Sequence, residues 1–291
     1  MAEMTKATFH CGRSGPNGVY NANHNTLEAT RQQQPHIDQD RFYLNEYYRL
    51  RADGRMEMVK GGKGGFNSKK HEREYYEKYF SEGLRKRNEQ YQKKGHKQDC
   101  KSIKNIYEGT KTAPYEILLQ VGNMKTDLDP KEQTQALRAA WKDWANEMTK
   151  QFGKNFKILD GALHMDESTP HIHVRSVFVA PNKDGDLMPN QSQALKAMGF
   201  KPGDPDKTLS KFNNVQQTFT AYARELFYQA VERQGITVNR EVENPSQKDL
   251  TAMEYKCEKL QENIEEMEHQ MKQQREELGE ATDALRRSIS S

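Results

Sequence analysis

The sequence predicts an α+β protein in which helices pack on a central antiparallel sheet and a long C-terminal helix follows. Three observations support this fold class. Short apolar runs of strand length alternate with longer stretches whose apolar residues recur at helical spacing. Two adjacent apolar runs joined by a polar turn form a hairpin pattern over Phe156–Val179. From Leu250 onward the pattern changes to heptads, which are typical of a coiled coil or a long helix.

The first half of the chain contains two predicted strands and two predicted helices. A strand is predicted at Lys6–Cys11, and a polar helix from Val19 to about Gln33. The basic loop Gly61–Gly65 lacks the residue order of a nucleotide-binding P-loop. A long helix follows at Ser68–Lys94, with aromatic residues at i, i+3, i+4 spacing and basic residues on its other face. The apolar run Tyr115–Val121 has the length of a buried central strand.

The second half contains a helix, the hairpin and two further helices. Asp129-Pro130 is a helix start, because Asp caps the free N–H groups and Pro suits the first helical position. Short and long amphipathic helices are predicted at Gln191–Phe200 and Phe212–Arg233. The buried stripe of the helix that begins at Pro130 is expected to be Leu137, Trp141, Trp144 and Met148.

We predict two domains, a catalytic domain at residues 1–243 and a helical extension at residues 244–291, with Asn244-Pro245 as the boundary. The extension is expected to form a coiled coil, through which the chain could form a homodimer or bind other proteins. Its seam is Leu250, Met253, Cys257, Leu260, Ile264, Met267, Met271, Leu278, Ala281 and Leu285.

Composition narrows the compartment and the partners. There is no apolar run of about 18 residues and no apolar N-terminal signal region, so we expect a soluble cytoplasmic protein without a membrane span. The three cysteines have no CxxC spacing, which fits reduced thiols. Within Lys60–Lys125 there are 16 Lys/Arg and 8 Asp/Glu, whereas residues 236–291 have 8 basic and 13 acidic side chains. A basic block of this kind indicates either a polyanion partner or a solvated helix face.

The stretch His164–His173 carries three histidines and two carboxylates in ten residues. Alternate residues of a strand point the same way, so His171 and His173 share a face at about 7 Å, and Ile172 points into the core. His164, at the end of the partner strand, can close over the same face. Three neutral ring nitrogens in this arrangement favour a catalytic metal site over a hydrogen-bonded polar cluster. Imidazoles suit Zn, Mn, Co or Ni.

The pattern HxDExxPHxH over His164–His173 resembles the signature of the MobV (Pre/Mob) plasmid-mobilisation relaxases, which belong to the HUH endonucleases. The family also has an N-terminal His-Asn pair followed by Arg and Asn, matched here by His24-Asn25, Arg41 and Asn45. The pair is often followed by Glu-Arg, whereas this chain has Thr26-Leu27. The resemblance implies an HUH relaxase-like sandwich that nicks and rejoins one DNA strand at an origin of transfer (oriT) for conjugative mobilisation.

The resemblance also implies roles for individual residues. His164, His171 and His173 would hold Mn²⁺ or Mg²⁺, and His24 would attack the phosphate to form a phosphoramidate with the DNA 5′ end. Glu167, or less favourably Asp166, could take the proton of His24 or hold its tautomer. Arg41 could balance charge on the phosphate. The expected contacts with single-stranded or hairpin DNA are Asn25, Arg31, Asn45, Lys69, Lys70 and Arg73.

Three other readings stay open at this point. A replication initiator of the same superfamily would use a tyrosine, and Tyr20, Tyr43, Tyr47 and Tyr48 lie near His24 in sequence. A metal-dependent phosphoesterase would form no covalent intermediate with DNA. A DNA-binding or scaffolding protein would use the histidines to hold a structural zinc and would leave DNA unnicked.

Overall fold

The computed structural model of the chain describes residues 5–13, 22–26, 37–51, 53–61, 65–122, 129–204, 206–210, 213–240, 267 and 269–275. The chain divides into two compact units, Met1–Arg240 and Glu241–Ser291. None of the helices in the described ranges is both long enough and apolar enough to cross a bilayer.

Within the described residues, eight strands form one sheet in the order β3-β2-β5-β6-β4-β1-β8, and β7 pairs with β6 beside that path. All the pairs are antiparallel except β1 with β8. The predicted central antiparallel sheet is therefore confirmed. The strands are β1 (Thr5–Arg13), β2 (Glu46–Leu50), β3 (Met56–Val59), β4 (Tyr115–Val121), β5 (Phe156–His164), β6 (His171–Pro181), β7 (Leu187–Pro189) and β8 (Val238–Asn239).

Helices cover both faces of the sheet, and most of them begin at a capping side chain. For example, the side chains of Asn67, Asp129 and Asn214 each accept a hydrogen bond from a backbone N–H in the first turn of the helix that follows. Short 3-10 helices lie at Gln39–Leu44 and Lys97–Asp99. In the described ranges of the first unit, the α-helices are α1 (Ala22–Thr26), α2 (Ser68–Lys93), α3 (Ile103–Tyr107), α4 (Pro130–Phe152), α5 (Gln191–Ala197) and α6 (Val215–Glu232).

Side-chain alternation along β6 separates two cores. Ile172, Val174 and Phe178 point toward the face covered by α4 and α6, where the larger core contains Trp141 and Trp144. Val177 and Val179 point toward α2, in a smaller core with aromatic residues of that helix. His171, His173 and Arg175 have the parity of Val177, so they lie on the α2 face, at its polar end.

Most of the elements predicted from periodicity are confirmed. The helix predicted at Ser68–Lys94 is observed at Ser68–Lys93, and the strand predicted at Tyr115–Val121 has those bounds. The predicted stripe of α4 is fully buried. The polar helix predicted from Val19 to Gln33 is described only over Ala22–Thr26, and the rest of it lies outside the described residues.

Several short elements were not predicted. The strands β2 and β3 pair as a hairpin whose turn is closed by Gly54, at a φ of 82° that favours glycine. The 3-10 helix Gln39–Leu44, the helix α3 and the strands β7 and β8 were also missed. Each of these elements is at most six residues long, which leaves too few positions for a periodic pattern.

The second unit is described only as helix at residue 267 and at residues 269–275, where Met267 and Met271 are exposed. Most of the predicted heptad seam lies outside the described residues. The coiled coil and its partners therefore stay a prediction.

Candidate metal centre

The hairpin of β5 and β6 brings the three predicted imidazoles together. His164 and His171 are direct cross-strand partners, and His173 follows His171 on the same face of β6. The ring centroids are 5.3 Å apart for His164 and His171, 4.8 Å for His164 and His173, and 5.0 Å for His171 and His173. All three residues are buried.

Each of the three rings uses one nitrogen for a hydrogen bond that fixes its tautomer. His164 Nε2 donates to the carbonyl oxygen of Asn25 at 2.9 Å, and His171 Nδ1 donates to that of Thr169 at 2.9 Å. A carbonyl oxygen only accepts, so these nitrogens carry the protons. His173 Nδ1 donates to Glu116 Oε1 at 2.7 Å. A ring oriented in this way offers its other nitrogen as a neutral ligand.

The other nitrogens face a common region. His164 Nδ1 and His171 Nε2 each lie 3.8 Å from Glu167 Oε1. His173 Nε2 is buried and has no hydrogen-bond partner among the residues that the structure describes. Leaving a buried ring nitrogen without a partner is unfavourable unless something outside the chain binds it. The donor set and this nitrogen therefore fit a divalent cation held by the three histidines.

His24 lies beside this cluster although it is far from it in sequence. Its ring centroid is 5.8 Å from that of His164 and 5.7 Å from that of His173, and its Nε2 is 4.0 Å from Glu167 Oε1. Two overlapping sets of potential ligands result, His24/His164/His173 and His164/Glu167/His171. The side chains of His24 and Glu167 are partly exposed, at 22% and 16%, so this side of the cluster is accessible to a substrate.

Asn25 ties the helix α1 to the cluster. Its carbonyl accepts from His164, and its side-chain Nδ2 donates to Glu116 Oε2 at 3.0 Å. The next residue, Thr26, accepts a hydrogen bond from the backbone N–H of Ser68 at the start of α2. The position of His24 is therefore set by the buried contacts of the two residues that follow it. Asn25, which was predicted to contact DNA, is itself completely buried.

Glu116 is a site residue that the sequence analysis missed. It is completely buried and accepts hydrogen bonds from His173, Asn25 and Arg175. Burial alone raises its pKa, but the charges and hydrogen bonds of His173, Arg175 and Asn25 outweigh burial and lower the pKa to about 2. One sequence feature could have indicated Glu116. Each of two apolar runs contains one charged residue at an inward position, which is Glu116 in Tyr115–Val121 and Arg175 in β6.

Asp166 and Asn45 hold the loop between β5 and β6. Asn45 Nδ2 donates to Asp166 Oδ2 at 2.7 Å, and the backbone N–H of Met165 donates to Asn45 Oδ1 at 2.7 Å. Asp38 at the start of the 3-10 helix donates its backbone N–H to the carbonyl of Asp166. The structure thus places Asp166 against Asn45, and Glu167 at the histidines. The predicted catalytic role of Asp166 and the DNA contact of Asn45 stay predictions.

The structure describes four of the five cations that were predicted to bind phosphate. Arg41 lies on the 3-10 helix Gln39–Leu44, and within the described part of the chain its guanidinium makes no hydrogen bond or ion pair. Lys69, Lys70 and Arg73, in the first two turns of α2, line a hollow of about 290 Å³ together with Asn23. Arg31 lies outside the described residues.

The tyrosines near His24 have unequal access to solvent. Tyr47 and Tyr48 are buried, and the hydroxyl of Tyr48 donates to Glu46. Burial and the neighbouring Glu46 raise the pKa of Tyr48. Tyr43 is 82% exposed. Tyr20 lies outside the described residues. Of the described tyrosines in this group, only Tyr43 is accessible to a substrate without rearrangement.

The fold and the cluster define a class of protein, an α+β protein with a histidine cluster that fits a divalent cation and is open on one side. A family model described as plasmid recombination enzyme (Mob_Pre) matches residues 55–257, more than half of the chain. The chain belongs to this family, and the predicted resemblance is confirmed.

Two solved structures are also similar to the chain. Both are Mn-bound crystal structures of the MobM relaxase domain (MOBV) with oriT DNA of plasmid pMV158, of 22 and 23 nucleotides. The identities are 15% and 17%, and the TM-scores are 0.46 and 0.49. The matches cover 88% of this chain and 99% and 98% of the MobM chains. No curated protein sequence matches the chain.

Proposed function

We propose that this plasmid recombination enzyme is a metal-dependent relaxase, which cleaves and rejoins one DNA strand at an oriT through a covalent 5′-phosphoryl link to His24 and thereby serves conjugative mobilisation. The observation that carries the proposal is the position of His24, whose ring lies 5.8 and 5.7 Å from those of His164 and His173. A nucleophile for phosphoryl transfer must lie beside the group that binds the phosphate, since attack and charge stabilisation occur at the same phosphorus atom.

His164, His171 and His173 would hold the cation, through the ring nitrogens that are not used for Asn25, Thr169 and Glu116. A divalent cation at this position supplies a Lewis acid for the phosphoryl oxygens. We propose Mn²⁺ or Mg²⁺, which are common in phosphoryl-transfer sites, and Mn is the metal present in the two MobM structures.

His24 would act as the nucleophile through a neutral ring nitrogen. Its lone pair forms the N–P bond while the bond between phosphorus and the 3′ oxygen breaks, and the 3′ oxygen takes a proton from solvent. The resulting imidazolium gives its remaining ring proton to Glu167, whose Oε1 lies 4.0 Å from His24 Nε2. The phosphoramidate conserves the energy of the phosphodiester, so attack by a 3′ hydroxyl reverses the reaction without ATP.

Cations around the site would position the DNA. Arg41 is available for the scissile phosphate or a neighbouring one, because no described residue engages its guanidinium. Lys69, Lys70 and Arg73 would bind backbone phosphates along the start of α2, beside the helix that carries His24. Self-association, or binding of other proteins of the transfer complex, through residues 244–291 is part of the proposal, as is a cytoplasmic location.

The test is incubation of the protein with a supercoiled plasmid that carries its oriT, in the presence of Mn²⁺, followed by proteolysis and mass mapping of the DNA-linked peptide. We expect nicked plasmid and an adduct on His24, both lost in His24→Ala. The matched control is His96→Ala, because His96 is an exposed histidine outside the cluster.

Each other result identifies a competing function. An adduct on Tyr20 or Tyr43 would replace His24 with a tyrosine nucleophile. Nicking without any adduct would indicate a phosphoesterase. DNA binding without nicking would indicate that the histidines serve a structural metal.

A further inference from the structure

A series of buried, hydrogen-bonded polar groups connects the histidine cluster to α2. Glu116 accepts from His173 on one side and from Arg175 Nη1 at 3.0 Å on the other. Arg175 Nε donates to Glu72 Oε1 at 2.5 Å, and the hydroxyl of Tyr107 donates to Glu72 Oε2 at 2.5 Å. Glu116 and Glu72 are completely buried, and Arg175 is 2% exposed.

A buried ionic chain of this length is an unfavourable way to fill a core. Removing charges from water carries a large desolvation penalty, and apolar residues of similar size often give equal or greater stability. The neighbouring core on the same face is indeed apolar and aromatic. These buried ionic groups therefore call for a reason other than stability, and Glu116 connects them directly to the ring of His173.

The charges of these buried polar groups do not balance one another. Glu116 and Glu72 accept from six N–H or O–H groups, as carboxylates do, and Arg175 supplies one positive charge. Asp160 faces the same cluster from β5, and burial and the nearby Glu72 raise its pKa well above the usual range. The excess negative charge therefore lies next to the Nδ1 side of the His173 ring, and the Nε2 of this ring faces the proposed cation.

We propose that Arg175 and Glu72 are positioning residues for the ligand His173, since they hold Glu116 in the one orientation that keeps the proton on His173 Nδ1 and directs Nε2 toward the metal. This inference rests on the proposed metal site. The other hydrogen bond to Glu116, from Asn25 Nδ2, comes from the short helix α1, whereas Arg175 is anchored in β6 and by Glu72 in the long helix α2. The rigid support therefore comes from Arg175 and Glu72.

Glu72 belongs to α2, the helix that is also proposed to contact DNA. Glu72 is on the inner face of α2, and Lys69 and Arg73, on its outer part, are proposed phosphate contacts. The same two turns of α2 therefore carry the proposed DNA contacts and the anchor of a metal ligand.

The experiment compares Mn²⁺ binding by the full chain and by Arg175→Met, using isothermal titration calorimetry. Replacement of groups that support metal ligands typically weakens metal affinity by about 10- to 100-fold, and we expect a loss of about tenfold for Arg175→Met. Glu72→Gln keeps the volume and removes one charge, and it serves if Arg175→Met does not fold. The matched control is Arg138→Met, which removes another arginine that binds a carboxylate, Glu46, with two nitrogens.

A second readout separates positioning from a purely structural role. In the metal-free protein, long-range ¹H–¹⁵N spectra of the histidine rings report which nitrogen of His173 carries the proton. We expect the Nδ1–H tautomer in the wild type and in Arg138→Met, and a mixture of tautomers in Arg175→Met or Glu72→Gln.

Different results would overturn the positioning role and the metal site. Wild-type Mn²⁺ affinity and an unchanged His173 tautomer in folded Arg175→Met and Glu72→Gln would overturn the positioning role alone. Absence of Mn²⁺ binding in the wild-type protein would overturn the metal site, and with it both proposals.

Discussion

Ile172 links the packing of the core to the geometry of the three clustered histidines. It lies between His171 and His173 in β6 and is completely buried on the opposite face of the strand. Its neighbours across the sheet are Leu163 of β5 and Leu119 of β4, both without exposed surface. Truncation of Ile172 should therefore lower the free energy of unfolding and loosen the strand that holds two of the three imidazoles.

The expected loss can be estimated from the atoms removed. Ile172→Ala deletes three carbon atoms, which at about 0.8 kcal/mol each amounts to about 2.4 kcal/mol of lost burial. The surroundings are the middle strands of a sheet and relax little, so a residual cavity of about 50 Å³ adds about 1.2 kcal/mol. The total of about 3.6 kcal/mol lies within the usual range of about 2–5 kcal/mol for this substitution. Ile172→Val deletes one carbon and should lower the free energy of unfolding by about 1 kcal/mol.

The assay is urea unfolding without metal, monitored by tryptophan fluorescence, because Trp141 and Trp144 lie in the same core as Ile172. Calorimetry of Mn²⁺ binding then compares the two variants, with Ile172→Val as the control that keeps a β-branched side chain. We expect near wild-type Mn²⁺ affinity in Ile172→Val and weaker affinity in Ile172→Ala. A loss below about 1 kcal/mol in Ile172→Ala would refute the reasoning, since it would mean that the side chain is not packed as described.

Three further predictions concern the metal, pH and salt. Chelation of divalent cations should abolish nicking. Mn²⁺ at about 100 times its Kd should raise the free energy of unfolding by about 2.7 kcal/mol. Urea unfolding with and without Mn²⁺ measures this gain in the wild type, and His171→Ala should lose it. Burial lowers the pKa of His71 despite its hydrogen bond with the carbonyl of Leu159. The unfolded chain then binds more protons, so the free energy of unfolding should fall as the pH drops through about 6.5; urea unfolding should show a smaller fall in His71→Gln. Lys70→Ala should lower the slope of log affinity against log salt by about 0.7–0.9 for one lost phosphate contact, as measured by fluorescence anisotropy with oriT DNA, whereas Lys111→Ala should leave it unchanged.

The long elements could be predicted because their patterns repeat. The helix α2 spans Ser68–Lys93, and α4 begins where Asp129 and Pro130 predict, since caps and amphipathic spacing act locally. Hairpin alternation also places His171 and His173 on one face, because the two-residue period of a strand requires no tertiary information. The pairing of His164 with His171 follows from the short loop between them.

The parts that could not be predicted depend on contacts between distant segments. The strands β2 and β3 contain few residues, and β2 is stabilised as a strand by pairing with β5 rather than by its own pattern. The bond between Glu116 and His173 also joins distant segments, through the adjacent strands β4 and β6. A sequence pattern showed a charged residue in an apolar strand, but it contained no information about the partner.

The amino-acid sequence by itself determined the class of fold, the hairpin, and the three imidazoles on one side of it, because these features arise from local periodicity and turn chemistry. Only the tertiary structure decided that His24 lies against those imidazoles, that Glu167 rather than Asp166 faces them, and that His173 and Arg175 both donate to Glu116. The reason is that a buried polar group must find its partner within the packed chain, and which partner it meets depends on strand order and helix placement rather than on spacing along the sequence.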